Sequence, residues 1–230
     1  MHSFKHSGDV GDILYSLPAM ELLGGGILYL SQSPETRALM TAQRIRALAP
    51  LLEQQTMVKR VACHTGQAVR HDLDRFRFAG GSNLVQAHIA GQGCKEHWPR
   101  SAKWLRAEPK EIEPVVINAT FRYRNRFFPW QQVVAAYKGR MIFLGLPDEH
   151  WEFEANYGPI PFYQAADFAD MAGVIAGCEL FIGNQSAAYA IAEGLKKRTI
   201  QEVCLNTPNC IFERPNAQYV FGSRVELPEI

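Results

Sequence analysis

His6-Ser7-Gly8-Asp9-Val10-Gly11-Asp12-Ile13-Leu14-Tyr15-Ser16-Leu17-Pro18-Ala19 is the stretch on which the fold turns. Extended residues, Ser3 to His6, lead into a glycine-rich turn, and an apolar helical pattern begins at once. Gly8 and Gly11 let the backbone turn tightly and approach a ligand closely. Asp12 stands at the mouth of the helix, where a carboxylate can cap free N–H groups or face a substrate. A strand, a glycine turn and a helix, in that order, mark the ligand-binding edge of an open α/β sheet. The same pattern also fits a general βα loop in which Asp9 and Asp12 only cap the helix.

Working outward, Gly26 to Leu30 reads as a second strand, a short apolar run after glycines. Ser33-Pro34-Glu35 reads as a helix start, with Pro34 at the first helical position and the helix ending near Ala49, where Pro50 interferes. Val58 to Cys63 reads as a third strand and Asn83 to Ala90 as a helix; residues 64 to 81 are polar and carry no clear period. Leu105 to Pro114 is charged, holds Pro109 and Pro114, and reads as a linker. Beyond it come strand Val115–Asn118, helix Pro129–Lys138 stopped by Gly139, and strand Met141–Leu144 closed by Gly145-Leu146-Pro147. Helix Phe168–Ala176, strand Glu179–Ile182, helix Ser186–Gly194 and strand Thr199–Leu205 complete the series. Strands alternating with short helices predict parallel sheets. The expected architecture is α/β: two lobes with parallel sheets, residues 1–108 and 109–230, the first reduced in size, with a cleft between them.

Composition excludes several classes. The chain has 230 residues, 47% hydrophobic and 20% charged, which suits a globular protein with a core of its own. Its formal charge of +1 does not indicate nucleic acid or a membrane surface as partner. Cys63, Cys94, Cys178, Cys204 and Cys210 are scattered, odd in number and without CxxC spacing, which argues against a disulfide framework and against zinc. No apolar run reaches the roughly 18 residues that span a bilayer. With no secretory signal visible at the start, a reducing cytoplasm is the expected location.

Two further motifs could carry chemistry. Gly183-Asn184-Gln185-Ser186 closes a strand and opens a helix of small residues, where free N–H groups and the helix dipole favour a diphosphate. The competing reading is an ordinary Ser cap on a buried helix. Arg122-Tyr123-Arg124-Asn125-Arg126 follows the strand that opens the second half; three guanidiniums there suit phosphate recognition, or form a solvated basic loop. His64, His71, Asp72 and Asp74 invite a metal reading, but the His-Asp dipeptide of metal phosphohydrolases needs an all-helical frame and further ligands, so no metal site is expected. His2 and His6 near Asp9 and Asp12 are a similarly weak signal.

Together these segments resemble the ADP-heptose:lipopolysaccharide heptosyltransferase family, a group of GT-B glycosyltransferases. The opening S-G-D-V-G-D-I-L-Y-S-L-P-A-M is similar to that family's G-D-x-x-x-x-L-P-A loop. C-E-L-F-I-G-N-Q-S-A-A-Y-A-I-A-E-G is similar to its G-N-D-S-G-x-x-H-x-A segment, and R-Y-R-N-R-F-F-P-W to its basic K-x-W-P loop, in the same order. The similarity is best over residues 1–23 and 115–205. It implies two Rossmann-like domains, GT-B-like, with the active site between them. It implies Asp12 as general base, with Gly11, Arg122, Arg124, Arg126, Gly183, Asn184, Gln185 and Ser186 near the donor diphosphate. It further implies inversion at the anomeric carbon, no cofactor or bound metal, a nucleotide-diphosphate sugar as donor substrate and an unidentified acceptor hydroxyl. The chain departs from the family at Gln185, where Asp is usual, at Ala190, where His is frequent, and near Arg126, where Lys is usual. It is also shorter than typical members. The alternatives are a non-catalytic nucleotide or sugar-nucleotide binder, and a sugar-nucleotide epimerase or hydrolase on the same fold.

Overall fold

A computed structural model of the chain describes residues 1–31 and 40–230. The helix start expected at Ser33-Pro34-Glu35 lies outside the described residues. The chain forms two compact units. One comprises Met1–Arg106 with Asp167–Ala169 and Asn209–Phe212; the other comprises Ala107–Ala166, Asp170–Pro208 and Glu213–Ile230.

The first unit opens with β1 (His2–His6), α1 (Val10–Leu22) and β2 (Gly26–Leu30). It continues through α2 (Ala42–Glu53), β3 (Val58–Cys63), β4 (His71–Asp72), a 3-10 turn over Leu73–Phe78 and α3 (Leu84–Gly91). Its strands lie in the order β3-β2-β1-β4, all parallel. Phe4, Leu28 and Leu30 of the sheet and Ile13, Leu14 and Leu17 of α1 are sealed from solvent. Burying such side chains supplies the main stabilisation of an α/β layer, about 1.5–3 kcal/mol each.

The second unit contains β5 (Val115–Asn118), α4 (Trp130–Ala136), β6 (Met141–Leu144), α5 (Pro147–Tyr157) and β7 (Phe162–Tyr163). After α6 (Phe168–Gly177), whose first residues group with the first unit, come β8 (Leu180–Asn184), α7 (Ala187–Gly194), β9 (Arg198–Glu202) and β10 (Ala217–Val220). The sheet order is β10-β9-β8-β5-β6-β7, again all parallel. Counted from β5, this is 3-2-1-4-5-6, the strand order of dinucleotide-binding folds. Every residue of β5, β6 and β8 is buried, as expected of central parallel strands covered on both faces.

Several sequence expectations are corrected. Pro50 does not end α2; it lies inside the helix, whose buried Leu48, Leu51 and Leu52 hold the turn around it. Gly11 is not part of the turn, because α1 has already begun at Val10. Residues after Pro147 form α5, with Pro147 as a pre-set first helical residue. The strand expected to reach Leu205 ends at Glu202. The charged stretch from Leu105 to Pro114 contains no helix or strand, but it is anchored at its start and middle. Leu105 is fully buried, and Lys110 N–H donates to the Gly173 carbonyl at 2.9 Å.

Gly183, on β8, pairs with Asn118 of β5 and Gln201 of β9. A Cβ there would fall 2.6 Å from the Asn118 carbonyl oxygen, a backbone atom that cannot swing aside. Gly183→Ala is expected to push the central strands apart and cost about 1–3 kcal/mol, as overpacking does. Thermal unfolding of this variant checks it; an unchanged midpoint would show that the strands yield freely.

Candidate functional site

In an open parallel sheet, ligands sit beyond the carboxyl ends of strands, where crossovers leave in opposite directions. Each unit has one such point, between β1 and β4 in the first and between β5 and β8 in the second.

In the first unit, β1 delivers His6 and Ser7 into the loop before α1. Ser7 N–H donates to Asp74 Oδ1 at 3.0 Å and its hydroxyl to Asp74 Oδ2 at 2.7 Å. Burial alone would push the Asp74 carboxyl up. The charge His6 takes on in acid, both Ser7 hydrogen bonds and Arg77 pull it down to about 2. Asp74, considered above for a metal, therefore anchors the loop. Among the described residues no group of three His, Cys, Asp or Glu side chains could hold a metal ion. Asp9 is the N-cap of α1, and its N–H donates to Asp12 Oδ2 at 3.3 Å. Asp12 is thus in the third position of the helix, partly exposed, with one carboxylate oxygen in a capping bond.

In the second unit, the polar residues at the switch point are largely wired to each other. Asn184, fully buried, accepts Thr120 N–H at 3.1 Å and donates to the Thr120 and Arg122 carbonyls. It therefore pins the start of the arginine loop. Ser186 caps α7, accepting Tyr189 N–H at 3.1 Å, and donates its own proton to Asn118 Oδ1 at 2.7 Å. Gln185 donates to the Thr207 carbonyl at 2.8 Å and accepts Cys204 N–H at 3.3 Å. These three side chains hold the loops after β5, β8 and β9 in register. The first N–H groups of α7, which helix geometry leaves without an intrahelical partner, form the anion-attracting feature here.

The three arginines are not equivalent. Arg124 Nε donates to Glu202 Oε1 at 3.2 Å, and Glu202 also receives the Trp130 indole N–H at 2.9 Å and the Asn125 N–H. Burial pushes the Glu202 carboxyl above its usual range, against the opposing pull of Arg124 and these donors. Arg124 thus neutralises a buried carboxylate. Arg122 is exposed, stacks over Tyr123 and donates to its hydroxyl at 2.9 Å. Arg126, also exposed, lies over Phe127, 4.7 Å from the ring centre. Arg124 and Arg126 line a cleft of about 570 Å³ together with Phe127, Glu152, Tyr157 and Leu205. Gly183 to Ser186 do not contribute to its wall.

Reading the sequence did not single out Asn118, Thr120 or Glu202. Glu202 closes a strand of mixed character, Arg198-Thr199-Ile200-Gln201-Glu202, which carries no local sign of a buried acid. Asn118 ends β5 and Thr120 follows it as ordinary polar residues, and only the sheet order makes them neighbours of Ser186 and Asn184.

No protein-family model and no curated protein matches the sequence. Solved structures match the fold. The chain is similar to E. coli heptosyltransferase WaaC with ADP-2-deoxy-2-fluoro heptose, at TM-score 0.61 and 10% identity, over 95% of this chain and 92% of that one. It is similar to E. coli ADP-heptose lps heptosyltransferase II at TM-score 0.60 and 11% identity, over 96% and 90% of the two chains. Against the iron-containing E. coli heptosyltransferase TibC in complex with ADP-D-beta-D-heptose, TM-score is 0.58 and identity 18%, over 94% of this chain and 61% of that one. The fold is therefore α/β with two parallel-sheet units of the GT-B-like kind. Among the described residues no helix is long and apolar enough to cross a membrane.

The first unit should lose stability in mild acid. Burial holds His6 at about 4, against about 6.5 for a free histidine. Between those values the unfolded chain binds protons that the folded unit does not, so stability falls as pH drops through this window. His88, also lowered by burial, acts in the same direction, and Asp74 extends the loss below about pH 4. Protection of β1 amides against hydrogen exchange should weaken progressively below about pH 6.5 after correction for the intrinsic rate. Constant protection down to pH 4 would contradict burial of neutral histidines.

Proposed function

We propose that the chain is a glycosyltransferase that moves a sugar from a nucleotide-diphosphate donor to an acceptor hydroxyl, with inversion and without a metal ion. The observation that carries this reading is the built switch point of the second unit: a helix start and an arginine loop held together by Asn184, Asn118 and Ser186. Its likeness in fold to heptosyltransferases supports the reaction class, and ADP-sugars are the first donors to try because two of those structures hold an ADP-heptose or an analogue.

In this reading the first N–H groups of α7 face the donor diphosphate, and Gly183 serves the site by letting β8 lie close to β5 below that helix start. Arg122 and Arg126 offset the negative charge that grows on the leaving diphosphate. Arg124 shapes the loop by neutralising Glu202, while Asn184, Gln185 and Ser186 fix the backbone that meets the donor. Asp12, with Gly11 beside it at the start of α1, is the general base. It takes the proton of the acceptor hydroxyl as that oxygen attacks the anomeric carbon and the bond to the diphosphate breaks. The second reading, a non-catalytic sugar-nucleotide binder, is favoured by one observation: Gln185 is a neutral amide fully engaged with Thr207 and Cys204.

A panel of nucleotide sugars screened by thermal shift identifies the donor, since a ligand of the native state raises the melting temperature. With that donor, Arg126→Ala should weaken binding by about 1.5–3 kcal/mol, the worth of a charged hydrogen bond. Arg124→Ala should instead lower stability, because Glu202 remains buried without its counter-charge. Equal affinity in wild type, Arg122→Ala and Arg126→Ala would remove the phosphate role from this loop. Asp12→Asn should bind donor normally and lose turnover by about 10²–10⁴-fold. Full activity in that variant would leave Asp12 as a helix cap only.

A further inference from the structure

His6, at the end of β1, and His88, on α3, are both fully buried, and their Nε2 atoms lie 3.0 Å apart. Two ring nitrogens at that distance need one proton between them. The other ring nitrogens decide which side carries it. Gly8 N–H donates to His6 Nδ1 at 2.8 Å, so that nitrogen has no proton and the His6 proton is on Nε2. His88 Nδ1 lies 2.7 Å from the Leu84 carbonyl, which can only accept, so His88 carries its proton on Nδ1 and accepts with Nε2. Each ring nitrogen then has one partner and one role. Protonating His6 would set Nδ1–H against the Gly8 N–H, and protonating His88 would set two N–H groups face to face.

The hydrogen-bond chain stops at the Gly8 N–H, and Gly8 in turn packs against the carboxylate proposed above as base. A Cβ on Gly8 would fall 2.6 Å from His6 Cε1 and 2.9 Å from Asp12 Cβ and Oδ2, so Gly8 is packed between the ring and Asp12. Asp9 N–H, one residue on, donates to Asp12 Oδ2. Phe76 stacks on His88 with ring centres 4.0 Å apart, fixing the ring plane. The charged groups facing His6 are Asp74, 3.6 Å from its Nδ1, then Arg77, Asp72 and Lys5; those facing His88 are Arg77 and Asp74.

We propose that His6 and His88 are positioning residues: a neutral pair with one fixed tautomer on each ring that holds the Gly8 turn and, through it, the Asp12 carboxylate. The proposal rests on reading Asp12 as the functional group of this loop. It predicts that a change on α3, at a residue that does not itself reach Asp12, alters the surroundings of that carboxylate.

The test is made by NMR on the full chain and uses no turnover. Two-bond proton–nitrogen spectra of wild type at neutral pH should show His6 protonated on Nε2 and His88 on Nδ1. A His6 ring protonated on Nδ1, or a charged ring at that pH, overturns the proposal. His88→Phe keeps the stack on Phe76 and removes the acceptor of the His6 proton. His6 Nε2–H is then buried without an acceptor, while Asp74 Oδ1 lies 3.6 Å from Nδ1; the proton should move to Nδ1 toward Asp74, Gly8 should lose its acceptor, and exchange of the Gly8 amide should rise about tenfold, the scale of one lost hydrogen bond. The Asp12 carboxyl carbon should shift its titration midpoint in this variant. His88→Gln offers a carbonyl oxygen to His6 and should restore Gly8 protection. A folded His88→Phe with the wild-type Gly8 exchange and Asp12 titration sinks the idea. If His88→Phe does not fold, the wild-type tautomers and the His88→Gln comparison decide. Absence of sugar transfer would count against the proposed function and leave these readouts standing; wrong tautomers would do the reverse.

Discussion

A parallel sheet must separate its crossovers at one point, and the loops there lose the backbone partners that strands enjoy. Unpaired buried peptide groups cost about 1–3 kcal/mol each, so side chains must take them. Among the described residues, both switch points depend on how that need is met. Between β5 and β8, the Asn184 amide serves both peptide groups of Thr120 and the Arg122 carbonyl, while Asn118 joins Leu144 to Ser186. Between β1 and β4, Asp74 takes the Ser7 N–H and hydroxyl, and the His6 ring takes the Gly8 N–H. Much of the polar capacity of these loops is consumed in holding them together.

The same economy separates residues that touch a ligand from residues that shape the place where it touches. Asn184, Gln185 and Ser186 look like ligand-binding residues by type and position, yet their side chains face the protein. What they leave outward is backbone. Arg124 differs from Arg122 and Arg126 for a like reason: a buried carboxylate beside Trp130 claims its guanidinium.

Most of the architecture was legible from the chain. Glycines before Ile27 and the apolar runs at Val115 and Met141 mark strands because central parallel strands are buried on both faces. Pro50 misled because a proline cost of roughly 3 kcal/mol is a local quantity, and three buried leucines of the same helix outweigh it. The candidate site was legible as a set of loops but not as a set of roles. Which of Asn184, Ser186 and Arg124 points inward depends on Thr120, Asn118 and Glu202, all 60 or more residues away in sequence. No local pattern carries that information. His88 shows the same limit, since its ring in an apolar helix reads as core until the fold sets it against His6.

Group transfer from a sugar nucleotide leaves a direct signature on the donor's phosphorus atoms. Its most direct measurement is phosphorus NMR of the chain with a bound nucleotide sugar, with and without a pool of acceptor glycans. The diphosphate resonances of the donor should convert to those of free nucleoside diphosphate only when acceptor is present. A donor that binds and stays intact with every acceptor would contradict group transfer and leave a binding protein; release at the same rate without acceptor would make the chain a hydrolase.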